Sequence, residues 1–259
     1  DNAALRAYTS AHPEEPRRTE EKLKKYMAQP LNINTGFNEE LQAYIEDNDV
    51  PLERSGVLFF NTVHEDEFIV NTSRIAGVDP LDPWALSEAE NVGREQVFAL
   101  FDFFKKKVPG FENARLVSVG ARLGIRESRR IVGEYVLTGE DIMAQRRFPD
   151  DVVTCAYPVD IHGLKPGENE NAAYPYQGET YGIPYRCLVP LDVDQLLVAG
   201  RCISTTRVAQ GSMRTSPTVM AIGHAAGTAA ALSLRQECAP RDLDTQELRK
   251  VLIKEGAMV

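Results

Sequence analysis

The sequence predicts an α/β protein in which a β-rich middle joins a strand–turn–helix unit near the C-terminus. β-branched and aromatic residues gather in short runs between Val57 and Val189, separated by polar turns. A helical spacing, Val97, Leu100, Phe101, Phe104 and Val108, lies among them and stops at Pro109-Gly110. From Gln195 to Leu232 an apolar run ends at Gly200, a polar loop follows, and Ser216-Pro217 opens a helix of small residues.

The elements follow in order. Thr19–Gln29 and Asn38–Glu46 carry helix formers bounded by Pro16, Pro30 and Pro51, so residues 1–55 read as a helical, lid-like segment. Val57–Val63 and Glu67–Ile75 flank His64-Glu-Asp66 as a hairpin. Ser87 with Glu90 forms a capping box for the amphipathic helix that ends at Val108. Arg115–Val119 and Arg129–Leu137 read as strands, Gly139–Arg146 as a short helix and Val153–Ile161 as another strand. Residues His162–Tyr181 hold Gly, Pro, Asn and Tyr without periodicity and form a long loop, the kind that carries function. Ile183–Val189 and Gln195–Ala199 read as strands. Asp244 with Glu247 caps a last helix closed by Gly256.

Composition limits the partners. The chain has 259 residues, 43% of them hydrophobic, enough for a substantial core. Its formal charge of −9 disfavours nucleic acid, which requires clustered Lys and Arg. The runs Lys22–Lys25 and Lys105–Lys107 read as solvated helix ends. Cys155, Cys187, Cys202 and Cys238 are widely spaced, so neither a structural metal site nor a disulfide framework is expected. No apolar run reaches the ~18 residues of a membrane span and no signal peptide opens the chain. The expectation is a cytoplasmic protein with a small-molecule substrate, no metal, no nucleic acid and no membrane.

The helix opened by Ser216-Pro217 presents backbone N–H groups at its start, which attract negative charge. Ala221, Gly223, Ala225, Ala226, Gly227, Ala229 and Ala230 make it thin enough for a backbone or a flat ligand to approach. A buried helix crossing a sheet explains the same residues equally well.

Four motifs in one order resemble the FAD-dependent oxidoreductase family with a glutathione-reductase-like flavin domain. They are Gly124–Thr138, Tyr157-Pro-Val-Asp-Ile-His162, Ile183–Pro190, and Leu196–Ser204 with Ser212-Met-Arg214 and Met220–Gly227. The resemblance runs from about Gly56 to the end. It implies an α+β substrate domain, residues 56–190, joined to the C-terminal part of a Rossmann-like FAD-binding domain, residues 191–238, with a C-terminal helix over 239–259. It implies FAD as cofactor and hydride transfer to or from a small organic substrate. By the same resemblance Gly200, Arg201, Ser212, Pro217, Thr218 and Val219 contact the cofactor, the helix start facing the pyrimidine edge of the flavin. Arg214 resembles in position the substrate-side arginine of flavin-dependent fumarate-reductase-like enzymes. His162, where a strand meets the long loop, reads as a general acid/base or substrate-binding group. Arg126 reads either as a clamp for an anionic substrate or as an ion-pair partner of Glu127 or Glu134. Of Arg129 and Arg130, which a strand would point to opposite faces, Arg129 is favoured for the pocket.

The sequence departs from the family twice. It contains no G-x-G, the turn that cradles a dinucleotide, so the chain reads as the C-terminal portion of a longer flavoprotein. Its partners then include a missing N-terminal flavin-binding half or a second copy. His224 stands where the family has Gln and reads as a histidine of the core. The alternative is a cofactor-free interaction or regulatory subunit that keeps part of the fold. A hydrolase built on Asp160 lacks a second carboxylate that the sequence singles out.

Overall fold

The computed structural model describes residues 1–11, 33–64, 66–161 and 180–259. The expected helix at Thr19–Gln29 and nearly all of the loop from His162 lie outside the described residues. The chain folds as two compact units, residues 1–124 and 125–259, with a mixed α/β architecture and two small antiparallel sheets.

In the first unit, α1 (Asn2–Ala11) precedes β1 (Ile33–Gly36), α2 (Asn38–Asn48), β2 (Val57–Asn61), β3 (Phe68–Val70) and α3 (Pro83–Lys107). The strands form a sheet in the order β1-β2-β3, with Phe60 opposite both Ile33 and Ile69. The expected hairpin is present as β2 and β3. Alternation on β2 turns Val57 and Phe59 inward. Phe59 is 0% exposed and meets the rings of Phe68, Phe104 and Phe111 at 5.8, 5.2 and 5.6 Å. Leu41 and Tyr44 of α2 enter the same core.

Helix α3 begins earlier than its sequence signals suggest. The Asp82 carboxylate accepts the Trp84 N–H at 2.9 Å and Pro83 takes the first turn, so Ser87 and Glu90 lie inside the helix and form no cap. Its buried face is Ala89, Gly93, Gln96, Leu100, Phe103 and Phe104, so Phe103 replaces the expected Phe101. Gln96 accepts from Arg74 N at 2.9 Å and donates to Arg74 O at 2.8 Å and to Pro51 O, tying two loops to the helix. Lys105, Lys106 and Lys107 fill the last turn, where cations complement the helix dipole. Arg115–Val119 is not a strand. Among the described residues no strand pairs with it, and Val117 is 84% exposed.

In the second unit, α4 (Gly139–Met143) is closed by a capping box between Thr138 and Asp141. β4 (Asp151–Cys155) pairs antiparallel with β5 (Tyr181–Pro184), with a bulge between Asp151 and Val153. Pro184 ends β5, and a 3-10 turn over Tyr185–Cys187 replaces the expected continuation to Val189. Then come α5 (Arg207–Met213), α6 (Ser216–Gln236) and α7 (Thr245–Lys254), with α6 and α7 packed on β4. Asp244 caps α7 by accepting from Gln246 N at 2.9 Å, and Gly256 takes φ 85° beyond its end. The buried face of α6 is Thr218, Ile222, Ala225, Ala229, Leu232 and Ser233.

Two more expected strands are absent. Arg129–Leu137 is bound by single hydrogen bonds to two different segments. Ile131 and Leu137 donate to Cys202 and Ser204 carbonyls at 2.9 and 3.1 Å, while Glu134 and Tyr135 donate to Val189 and Arg186 carbonyls at 3.0 and 3.3 Å. With Leu191 N donating to Val132 O and Thr206 N to Leu137 O, each flanking segment makes three bonds, but they yield only isolated bridges, Gly133 with Pro190 and Leu137 with Thr205, and no continuous ladder. In Gln195–Ala199 the first residue is left-handed, φ 55°, and Val198 bonds Leu188 O. Among the described residues no helix is long and apolar enough to cross a membrane.

Candidate functional site

A cluster of four arginines and two carboxylates occupies one side of the second unit. It starts with a close packing contact. A Cβ on Gly211 would lie 2.7 Å from Ile161 Cγ1, so the segment Asp160-Ile161 rests directly on α5. Asp160 is thereby set beside Arg214, the residue that closes α5. Arg214 Nη2 donates to the Asp160 carbonyl at 2.6 Å and stands 3.5 Å from Asp160 Oδ2. Arg126 Nη1 approaches that same oxygen at 3.7 Å. Gln210 Nε2 donates to the Arg126 carbonyl at 2.8 Å, fixing the backbone that carries this second guanidinium.

A second group adjoins the first. Glu127 accepts from Arg130 Nη1 at 2.6 Å and from Arg207 Nε at 3.3 Å, and Arg130 Nε donates to the Thr205 carbonyl at 3.0 Å. The Arg214 side chain is 12% exposed, against 48% for Arg126. Burial first, and the positive Arg126 second, hold the Arg214 guanidinium below its usual range, while Asp160 acts in the opposite sense.

A buried hydroxyl network lies where α5 meets α6. The Ser212 hydroxyl shares a 2.6 Å hydrogen bond with Tyr181 OH and donates to the Tyr157 carbonyl. Cys155 Sγ lies 3.4 Å from Thr218 Oγ1, which is 3.2 Å from Thr215 Oγ1. Burial raises the Tyr181 phenol well above its ordinary pKa, so this hydroxyl stays protonated.

The structure brings Arg126 and Arg214 together at Asp160, and the ion-pair partner of Arg126 is Asp160 rather than Glu127 or Glu134. Glu127 binds Arg130 and Arg207, and Glu134 binds Arg241. Arg129 is exposed, and Arg130 joins the cluster instead, because without a strand the two do not alternate. His162 lies outside the described residues. Gly200 has φ 96°, and nothing stands within 4 Å of where its Cβ would be. The exposed Arg201 donates to the Ile125 carbonyl. Ser212 is 0% exposed with its hydroxyl held inside the core. Pro217 is exposed, Thr218 is buried, and the Val219 N–H donates to the Thr215 carbonyl at 3.0 Å. His224 is a surface residue, 2.6 Å from Glu255 Oε2, and not a histidine of the core. Sequence reading missed Asp160 as the shared acceptor, and with it Gln210 and Arg207. No local spacing announces an acceptor 34 residues from one arginine and 54 from the other.

The start of α6 fits one end of a flavin cofactor. Thr215 gives it no side-chain cap, Ser216 and Pro217 are exposed, and the space beside Gly200 is open. The 259 residues contain no glycine-rich turn for the pyrophosphate.

Comparison with curated proteins and with solved structures gives no match. The family model described as FAD dependent oxidoreductase matches residues 2–252, nearly the whole chain. With its four motifs and the uncapped α6 set beside an arginine cluster, the chain belongs to the FAD dependent oxidoreductase family.

Proposed function

We propose that this chain takes part in hydride transfer between a small organic substrate and FAD. The observation that carries the reading is the convergence on one oxygen of Asp160 of Arg126 and of Arg214, which stands two residues before the uncapped start of α6. Bound FAD would supply the hydride acceptor or donor. The chain's own residues then have distinct tasks. The first turn of α6, with Pro217, Thr218 and Val219, would hold the electron-rich ring edge through its helix dipole. Gly200 leaves room for close approach, and Arg201, which donates to the Ile125 carbonyl, would turn to the pyrophosphate. Ser212 acts from inside, bracing Tyr181 against the backbone of Tyr157. Arg214 and Arg126 orient the substrate, and His162 moves the proton that accompanies the hydride. Cytoplasmic residence belongs to this reading, since all four cysteines are free thiols.

The visible absorption spectrum of the purified chain with excess FAD tests it. A flavin spectrum retained through gel filtration supports cofactor binding. In protein loaded with FAD, Arg214→Ala then lowers turnover far more than flavin content, and equal loss of both would make Arg214 a cofactor clamp. A second reading, a cofactor-free interaction or regulatory subunit, is favoured by the exposed Met220 and Leu234 of α6, 73% and 82% accessible. A well-folded chain that takes up no FAD alone or with a flavin-binding partner half would establish that reading over the first.

A further inference from the structure

We propose that Thr218 and Cys155 are positioning residues that hold the Thr215 hydroxyl away from the start of α6 and so reserve the Thr218 amide for the ring edge of the cofactor; this rests on the oxidoreductase reading and adds to it the device that keeps the helix end uncapped. Thr215 stands in the capping position, and threonine is among the residue types that cap. A capping hydroxyl accepts from the amide of the second or third helical residue. The second is Pro217, which has no N–H, so the Thr218 amide is the one target left. That bond is not made. The Val219 amide is spent on the Thr215 carbonyl at 3.0 Å, whereas the amides of Ser216 and Thr218 have no acceptor among the described residues.

The reason lies in a line of buried groups that carry one proton each. Ser212 spends its proton on the Tyr157 carbonyl, so the Tyr181 O–H must donate to Ser212 across 2.6 Å. Tyr181 also hydrogen-bonds Cys155 and, with its own proton spent, accepts that of the thiol. Cys155 Sγ then accepts from the Thr218 O–H at 3.4 Å, and Thr218 Oγ1 accepts from the Thr215 O–H at 3.2 Å. One carbonyl at the far end thus sets the direction of every bond in the line. The last of them turns the Thr215 hydroxyl toward the Thr218 side chain and away from its amide. The arrangement gives up the stability of a cap for a bond to sulfur, a weak acceptor, at a residue only 8% exposed. What it gains is an amide at a helix start that can meet an electron-rich group.

Thr218→Val removes one hydroxyl at nearly constant shape and frees Thr215 to accept from the amide of residue 218. Thermal melts of the full chain without FAD should show a Tm higher by about 2–4 °C, the reverse of what deleting a buried polar contact usually does. The rise disappears in Thr215→Val/Thr218→Val, where the hydroxyl that makes the new cap is gone. FAD titrations followed by flavin fluorescence should show Thr218→Val binding at least threefold more weakly than the parent, although it is the more stable protein. Loss of a merely structural contact lowers Tm and affinity together. An unchanged or lower Tm in Thr218→Val, or a rise that survives in the double variant, would overturn the proposal, and so would a higher Tm with FAD affinity unchanged. Should Thr218→Val not fold, the comparison is made with Thr218→Ala, in which Thr215→Val should cost more Tm than it does in the parent. A parent chain that takes up no FAD, alone or with a flavin-binding partner half, sinks the oxidoreductase reading, whereas the melts judge the line of hydroxyls independently of it.

Discussion

Replacing Gly182 with alanine tests how tightly β4 and β5 are joined under the site. A Cβ built on Gly182 falls 2.0 Å from both carboxylate oxygens of Asp151. Non-bonded heavy atoms rest ~3.5 Å apart, so the carboxylate would have to retreat by roughly 1.5 Å. It has nowhere to go. Asp151 is 1% exposed, its N–H is held by the Phe148 carbonyl at 3.2 Å, and the carbonyl of Asp150 before it is held by Tyr185 N at 2.8 Å. Overpacking of this kind costs about 2–3 kcal/mol, equivalent to a Tm fall of roughly 5–10 °C in a chain of this size. Urea unfolding followed by far-UV circular dichroism measures it, since the only tryptophan, Trp84, lies in the first unit. The double variant Gly182→Ala/Asp151→Ala removes the obstacle and should be at least about 1 kcal/mol more stable than the two single costs together imply. A single variant within about 0.5 kcal/mol of the parent, or additive costs in the double, would refute the reasoning.

Other changes probe the same unit. Burial raises the Asp151 carboxyl above its ordinary pKa, with Arg147 and Arg249 acting in the opposite sense. A carboxyl with a raised folded-state pKa contributes stability below its unfolded value of about 4 and loses it as pH rises through the folded value. Asp151→Asn should therefore gain on the parent as pH climbs from about 4, which parallel melts across pH would show. Gly211→Ala sets helix propensity against packing. The change favours α5 by about 1 kcal/mol, but its Cβ would meet Ile161 Cγ1 at 2.7 Å, and a net loss of about 1–2 kcal/mol is expected on urea unfolding. Tyr181→Phe deletes the 2.6 Å bond to Ser212 while leaving Ser212 its bond to the Tyr157 carbonyl, so the cost should stay near 1–2 kcal/mol in the same assay.

What the sequence reveals here is what local chemistry decides. The helices from Asn38, Gly139, Ser216 and Thr245 were legible because caps, proline and glycine act within a few residues of where they stand. Even there the start of α3 was misplaced, since Ser87-x-x-Glu90 satisfies the capping pattern while Asp82-Pro83 does the capping. The strands expected at Arg115–Val119, Arg129–Leu137 and Gln195–Ala199 failed for a different reason. Their β-branched residues are suited to a sheet, but a strand exists only where a partner runs alongside, and partnership is non-local. The site shows the same division. Arg126 and Arg214 were picked out by residue type and place, whereas their meeting at Asp160 depends on Gly211 letting two distant segments touch. Gln96, doing for two loops what a strand edge would do, has no sequence signature at all.

The segment from Arg129 to Leu137 behaves like a plank nailed at intervals rather than glued along its length. Its amides at Ile131, Glu134, Tyr135 and Leu137 hang on two separate supports, the Arg186–Val189 turn and the Cys202–Ser204 stretch. Arg130 sits at its near end, bonded to the carbonyl of Thr205 just past the second support, and Glu127 lies three residues further on. Because Ile203 and Ser204 of the second support are themselves fully buried, the fixed point from which Arg130 reaches Glu127 belongs to the core, and the charged cluster inherits its spacing from packing rather than from a sheet.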